Sequence, residues 1–205
     1  MTVQEINTKF DSVLRDLTGE SLGNIMAGIG ASAVYKIRNR ITKTGIDAEG
    51  SPYRPYSTKE MLVGCQGFKN KANCSRIFGK AKNKDMKWVS LGSKSAGNLK
   101  RLAVLEGGYK KFRDLNDLQS GFVDFAFSNG LWNSIGITNS KAEQNYGTVE
   151  IGVIPGGDSE LSKKKLEGNV KRRTSILKLS RGEVAELTNE FDTELEKVFV
   201  NNGLK

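Results

Sequence analysis

LGNIMAGIGASAVYKIRNRITKTG, residues 22–45, is the stretch that decides the fold. Leu22, Ile25, Met26, Ile29, Ala33, Ile37 and Ile41 recur at spacings of three and four, which is one apolar stripe along a helix. Lys36, Arg38, Arg40 and Lys43 crowd its last turns, where cations suit the negative end of the helix dipole. Gly45 is placed to end the helix in a left-handed conformation. Gly23, Gly28 and Gly30 lower helix propensity but permit a neighbour to approach closely. Gly28-x-Gly30 lacks the third glycine and the preceding strand of a dinucleotide fingerprint.

Toward the N-terminus, Val3, Ile6, Phe10, Val13, Leu14 and Leu17 predict another amphipathic helix, broken at Gly19. In the other direction, residues 46–60 (IDAEGSPYRPYSTKE) read as a loop. Pro52 and Pro55 hold the residues before them extended, and Ser57 or Thr58 could cap a short helix. Residues 61–100 show no sustained period and are expected to form an extended insertion. Leu102, Leu105, Tyr109 and Phe112 predict a helix within Leu99–Leu118, interrupted at Gly107-Gly108. The pattern then changes. Phe122–Phe127 alternates as a strand does, Asn129-Gly130 signals a turn, and Leu131–Ile135 suits a turn or short helix. Ile135–Thr138 and Thr148–Ile154 predict two more strands, turning near Asn145–Gly147. Residues 155–173 read as a polar linker with a short helical piece. Ser180 and Glu183 form a capping-box pattern that opens a last helix striped by Val184, Leu187, Phe191, Leu195 and Val198. The expected fold is α+β. A small antiparallel sheet packs against long N- and C-terminal helices, in a single domain over 1–205 with an extended basic insertion at 61–100.

Hydrophobic residues make up 37% and charged residues 27% of the chain, a balance that suits a soluble domain with a modest core. No apolar run approaches the ~20 residues that span a bilayer, and the N-terminus has no signal-peptide pattern. A cytoplasmic chain with no membrane contact is expected. Histidine is absent, which removes the usual general base and the Ser-His and Cys-His nucleophile pairs. No cofactor or metal is expected. Cys65 and Cys74 cannot alone complete a typical zinc site. They read as free thiols, with a disulfide or a site shared between subunits as the alternatives.

The net charge is +9, and it is concentrated. Lys69, Lys71, Arg76, Lys80, Lys82, Lys84, Lys87, Lys94, Lys100 and Arg101 lie in one segment with a single acid, Asp85. Outside that segment the charges balance. Such a segment suits a polyanion, since phosphate contacts by Lys and Arg release counterions, and Phe68, Phe78 and Trp88 could stack on bases. A solvated loop, or one docked on an acidic neighbouring subunit, is the commoner role of such a lysine-rich segment.

The remaining chemical candidates are weak. Asp47, Glu49, Asp114 and Asp117 could serve a metal-dependent nuclease only if they converged, and their spacing suits surface or capping roles. Gly64-Cys-Gln-Gly67 faintly resembles the backbone-clamping loop of KH domains, without the flanking helices. Tyr53, Tyr56 and Trp132 are either interface anchors or packing residues.

Two stretches carry a resemblance. One is Arg38-Asn-Arg40-Ile-Thr-Lys-Thr-Gly45-Ile-Asp47-Ala-Glu-Gly50-Ser-Pro-Tyr53-Arg-Pro55-Tyr-Ser57-Thr58. The other is Gly108-Tyr109-Lys-Lys-Phe112-Arg113, followed by Val123-Asp124-Phe125-Ala-Phe127-Ser-Asn129-Gly130-Leu131-Trp132-Asn-Ser134-Ile135. In order and spacing they resemble the virion morphogenesis, or tail-completion, family of tailed bacteriophages. The chain departs from that pattern at Tyr53, where tryptophan is common, and at Asn129, where threonine is common. The resemblance implies a non-enzymatic structural protein of the head–tail junction, made in the host cytoplasm and incorporated in the virion neck or tail. It implies a homo-oligomeric ring, sixfold or twelvefold, meeting the portal or adaptor and tail proteins, with packaged DNA nearby. Asp47, Gly50, Tyr53, Arg54, Pro55 and Tyr56 become partner-interface candidates. Lys69, Lys71, Arg76, Lys80, Lys82, Lys84 and Lys87 become candidates for a polyanion or an acidic partner.

Overall fold

The computed structural model describes residues 3–18, 20–69, 72, 74–75, 86–91, 100–126, 129–143, 146–156, 159–173 and 176–204. In chain order the elements are α1 (Val3–Asp16), α2 (Glu20–Thr44), β1 (Met61–Val63), β2 (Met86–Leu91), β3 (Lys100–Leu105), α3 (Gly108–Asp114), α4 (Gly130–Ser134), β4 (Ile135–Glu143), β5 (Tyr146–Val153), α5 (Ser159–Arg173) and α6 (Arg181–Asn201). The fold is α+β, with long helices near both ends and small antiparallel sheets. The chain divides into two compact units, Met1–Tyr53 with Ser128–Lys205, and Arg54–Phe127. The second unit encloses the 61–100 segment.

In the first unit, α2 lies on the β4–β5 ribbon, whose register runs from Ile135↔Val153 to Glu143↔Tyr146 with an irregularity between Ile137 and Asn139. Glycines on both surfaces allow the approach. A Cβ on Gly30 would stand 2.5 Å from Val149 Cγ1, and one on Gly147 would stand 2.5 Å from Met26 Cγ. The apolar stripe of α2 is the core. Leu22, Ala33, Ile37 and Ile41 are buried, as are Ile135 and Val153 on the ribbon. Helix α6 packs on α2 as well. Ser180 caps it by accepting from the Glu183 backbone N–H while the Glu183 carboxylate accepts from the Ser180 N–H, the capping box the sequence predicts. Gly45 ends α2 at φ +66° and donates to the Ile41 carbonyl, as expected of it. Lys9 Nζ donates to the Gly203 carbonyl, and Asn202 Nδ2 to Asp16 Oδ2, so α1 is tied to the end of α6.

The second unit is built on a sheet in the order β1-β3-β2. Val63, Phe68, Cys74, Leu105 and Phe112 form its core, flanked by Met61, Tyr109 and Leu115. Phe68 and Phe112 meet edge to face at 5.1 Å, a favoured aromatic geometry. Cys65 and Cys74 are joined in a disulfide, with Cα atoms 5.4 Å apart. This corrects the free-thiol reading. The turn Cys65–Gly67 and the burial of Cys74 beside Phe68 bring the two sulfurs together. Opening a loop of this length should cost about 2.5 kcal/mol through chain entropy. Denaturant unfolding of Cys65→Ser against the oxidised parent measures it, and equal midpoints would refute the structural role.

Several sequence expectations are overturned. Within the predicted helix Leu99–Leu118, Lys100–Leu105 is a strand and Gly108–Asp114 a separate helix, because Gly107 (φ +83°) and Gly108 (φ +58°) turn the chain between them. Phe122–Ala126 is no strand, since Phe125 takes φ +53° and the backbone is held by Asp124 instead. The polar 155–173 stretch contains a helix of 15 residues rather than a short piece. No helix follows Ser57, whose Oγ accepts from the Lys59 N–H in a local turn before β1.

Candidate functional site

The loop after α2 begins in the first unit, and Arg40 anchors it there. Its Nε donates to Glu183 Oε1 (2.8 Å), Nη1 to the Ile46 carbonyl (2.9 Å) and Nη2 to the Lys178 carbonyl (2.8 Å). A planar fork with fixed donors suits this three-way junction in a way an ammonium group would not. Beyond it, Asp47 folds the next residues over itself. Its Oδ1 accepts from the Glu49 and Ser51 N–H groups, and its own N–H donates to the Ser51 carbonyl. Gly50 closes that turn at φ +85°. Glu49 pairs with Lys178 at the surface. A cleft of about 820 Å³ lies beside the turn, bordered by Arg40, Ala48, Lys178 and Arg181.

Burial alone would raise the Glu183 carboxyl, but hydrogen bonds from Arg40 and the Ser180 N–H outweigh it and hold the group below its usual range. A carboxyl depressed on folding stabilises fully above its unfolded value of about 4.3. That stabilisation is lost as pH falls through the folded value. The melting temperature of the parent should therefore exceed that of Glu183→Gln near neutral pH, with the gap closing only below about pH 4.3. A gap that closed nearer neutrality would refute this sign.

In the second unit the loop continues through Tyr56 to a buried ionic cluster. Arg113, 1% exposed, donates from Nη2 to both Asp124 oxygens at 2.9 Å and from Nε to the Gln119 carbonyl at 2.6 Å. The Tyr56 hydroxyl donates to Asp124 Oδ1 at 2.7 Å, and the Arg113 guanidinium sits 4.5 Å from the centre of the Tyr56 ring. The Ala126 N–H donates to the same carboxylate oxygen. Burial, then the bond to Asp124, raise the Tyr56 phenol well above its ordinary value, so it remains a donor at any physiological pH. Helix α3 delivers Arg113, and Gly108 lets that helix start against the Ser57–Lys59 backbone.

The predicted site residues are thus divided. Tyr53 and Tyr56, at 5% and 7% exposure, are packing residues of their own units rather than surface anchors, and Trp132 is buried too. Asp47 is committed to its turn. Gly50, Arg54 and Pro55 are exposed and remain available to a partner. Of the basic candidates, Lys69 is exposed, its N–H donating to Asn116 Oδ1, and Lys87 lies on β2 in register with Val104. Lys71, Arg76, Lys80, Lys82 and Lys84 lie outside the described residues. Asp47 and Glu49 belong to the α2 loop, Asp114 accepts from Ser120 Oγ, and no metal-holding group of His, Cys, Asp or Glu occurs among the described residues. Gly64–Gly67 follows a strand, not a helix, unlike the KH arrangement. Among the described residues no helix is long and apolar enough to cross a membrane.

Sequence reasoning missed both ionic junctions as pairs. Arg40 was legible as a basic residue near a helix end, but not as the partner of Glu183. The Arg113–Asp124 pair left no periodic signal. Compared with protein-family models, curated proteins and solved structures, the chain matches none.

Proposed function

We propose that this chain is a structural, non-catalytic component of a tailed-phage head–tail junction, assembling as an oligomeric ring between the portal or adaptor and the tail. The observation that carries this reading is the loop after α2, one of the two stretches that resemble the tail-completion family in order and spacing. Its recognisable residues divide into those that fix the loop (Gly45, Asp47, Tyr53, Tyr56) and those that present it (Gly50, Arg54, Pro55). Exposed residues on backbone that is fixed from within its own unit suit assembly, because little ordering entropy remains to be lost on docking. Native mass spectrometry and negative-stain imaging of the purified protein, with and without portal and tail-tube components, test it. A closed ring, alone or on adding those components, is the expected result. A monomer that ignores them refutes it.

A nucleic-acid-binding protein is the second reading, favoured by the excess of positive charge between Lys69 and Arg101. Salt-sensitive binding of free DNA by the isolated monomer would select it over the first.

A further inference from the structure

The disulfide of the second unit joins two cysteines in unlike surroundings. Cys65 is exposed and opens the turn Cys65–Gly67. The Gly67 N–H donates to the Gly64 carbonyl at 3.0 Å and the Phe68 N–H to the Cys65 carbonyl at 3.2 Å, so the backbone of the turn holds itself. Cys74 is 3% exposed and belongs to the core formed with Val63, Phe68, Leu105 and Phe112. The chain between the cysteines is also held to the end of α3. The Lys69 N–H donates to Asn116 Oδ1 at 2.9 Å, and Asn116 Nδ2 donates to the Phe112 carbonyl at 2.8 Å.

The asymmetry gives the two sulfurs different chemistry. Thiol–disulfide exchange needs a sulfur that a small molecule can reach, and Cys65 meets that need. Burial keeps small thiols and disulfides from Cys74. A thiolate there would be a charge among aliphatic and aromatic side chains, which is costly. Only an intramolecular step offsets that cost. The two Cα atoms lie 5.4 Å apart, and such proximity replaces an encounter with a neighbour already in place.

We infer that Cys65 and Cys74 form a redox switch, in which Cys65 exchanges with a small-molecule disulfide of the glutathione type and Cys74 resolves the adduct. On closing, the Cys65 thiolate attacks one sulfur of oxidised glutathione, whose S–S bond breaks and releases one glutathione thiolate. The Cys74 thiolate then attacks the Cys65 sulfur and expels the second. Two electrons pass from the cysteine pair to glutathione, and the two cysteine protons end on the two glutathione thiols. Opening reverses these steps. Its first step expels Cys74 as a thiolate into the core, so reduction waits for the unit to open locally. The consequence lies in the basic segment, which begins at Lys69, inside the loop that the bond closes. The disulfide ties the root of that segment to the core of the second unit, and reduction frees it. The inference does not depend on the neck reading.

The test uses the full chain as parent, Cys74→Ala and Cys65→Ser, each reduced and then given excess oxidised glutathione. Melting curves establish folding, and intact-mass spectrometry reads the adducts. Folded Cys74→Ala should retain one glutathione. Folded Cys65→Ser should take it up at least about tenfold more slowly, the contrast expected of an exposed and a buried thiol. The parent should pass through a one-glutathione adduct to the intramolecular disulfide. Reduced glutathione should then open that bond at least about tenfold more slowly in the folded parent than in urea. Trypsin cleavage after Lys69 should be about tenfold faster in the reduced parent than in the oxidised one, since cleavage follows the population of the open form. If Cys74→Ala fails to fold, alkylation of the reduced parent by iodoacetamide decides the same point, with Cys65 modified first. Equal labelling of the two cysteines overturns the assignment of roles. A parent that stays a dithiol, or that keeps glutathione on both sulfurs, overturns the switch. Cleavage after Lys69 that is indifferent to reduction overturns its hold on the basic segment.

Discussion

Replacing Arg113 with methionine should lower the unfolding free energy by about 3–5 kcal/mol, the usual cost of leaving one member of a buried ion pair alone. Asp124 is 7% exposed. Without the guanidinium it would keep the Tyr56 hydroxyl and the Ala126 N–H as donors, but no opposite charge from Arg113. The 119–126 stretch would then open to admit water to the carboxylate. The double variant Arg113→Met/Asp124→Asn discriminates between charge and shape. The asparagine oxygen can still accept from Tyr56 and Ala126, while the uncompensated charge is gone. It should therefore be more stable than Arg113→Met alone, a non-additivity expected of residues in direct contact. Urea unfolding of both, followed by tyrosine fluorescence, supplies the comparison. An Arg113→Met midpoint within about 0.5 kcal/mol of the parent would be the value of an unremarkable surface change, and would remove the cluster from the account of how the loop is fixed.

That cluster also marks the limit of what the sequence discloses. Helices α2 and α6 were legible because each repeats its apolar residues over many turns and carries its own stop or start chemistry at Gly45 or Ser180. The β4–β5 ribbon was legible because its partners lie close in sequence. Short elements gave less. Strand β1 spans only Met61–Val63, too few residues for alternation to register. Leu102, Leu105, Tyr109 and Phe112 keep a helical spacing although the first two belong to a strand, because one hydrophobic core collects residues from both elements. At Phe122–Ala126 the alternation was real, but Asp124 captures a local N–H and diverts the backbone from any ladder, the competition expected of Asp side chains. Helix α5 has no apolar stripe, and its polar residues concealed a segment rich in the good helix formers Lys, Glu and Leu.

The same reasoning applies to the interface candidates. Sequence could place Tyr53 and Tyr56 in a loop, and loop aromatics are often anchors. It could not show that each faces inward, because that depends on Arg113 and Asp124 for Tyr56, and on the fold of the first unit for Tyr53. The bases of α2 were read as complements to the helix dipole. Lys36 and Arg40, four residues apart, instead meet Glu183, Glu186 and Glu190 of α6. The spacing of three and four on both helices carried that signal, though only packing could say that the two faces meet.

Gly108→Ala should be the most damaging single-methyl addition in the second unit, costing about 3 kcal/mol or more. Two penalties combine. Gly108 has φ +58°, which costs a non-glycine residue roughly 1–2 kcal/mol. The new Cβ would also overlap the Lys59 carbonyl oxygen and lie 2.8 Å from the Ser57 carbonyl oxygen. These are backbone atoms, so no rotamer change relieves the contact. The 57–59 segment must move, and with it the bond from the Lys110 N–H to the Ser57 carbonyl, 3.1 Å long. Gly107→Ala is the control. It has a similar conformation at φ +83°, but its Cβ would meet only the Lys111 side chain, at 3.0 Å, so it should show little beyond the conformational penalty. Helix α3 starts at Gly108 and carries Arg113, so displacing its first turn also loosens the ion pair. The combined variant Gly108→Ala/Arg113→Met should then lose less than the sum of its parts. Equal losses for the two glycine variants would mean that the chain near Lys59 yields freely, and that α3 is not held against the loop as described.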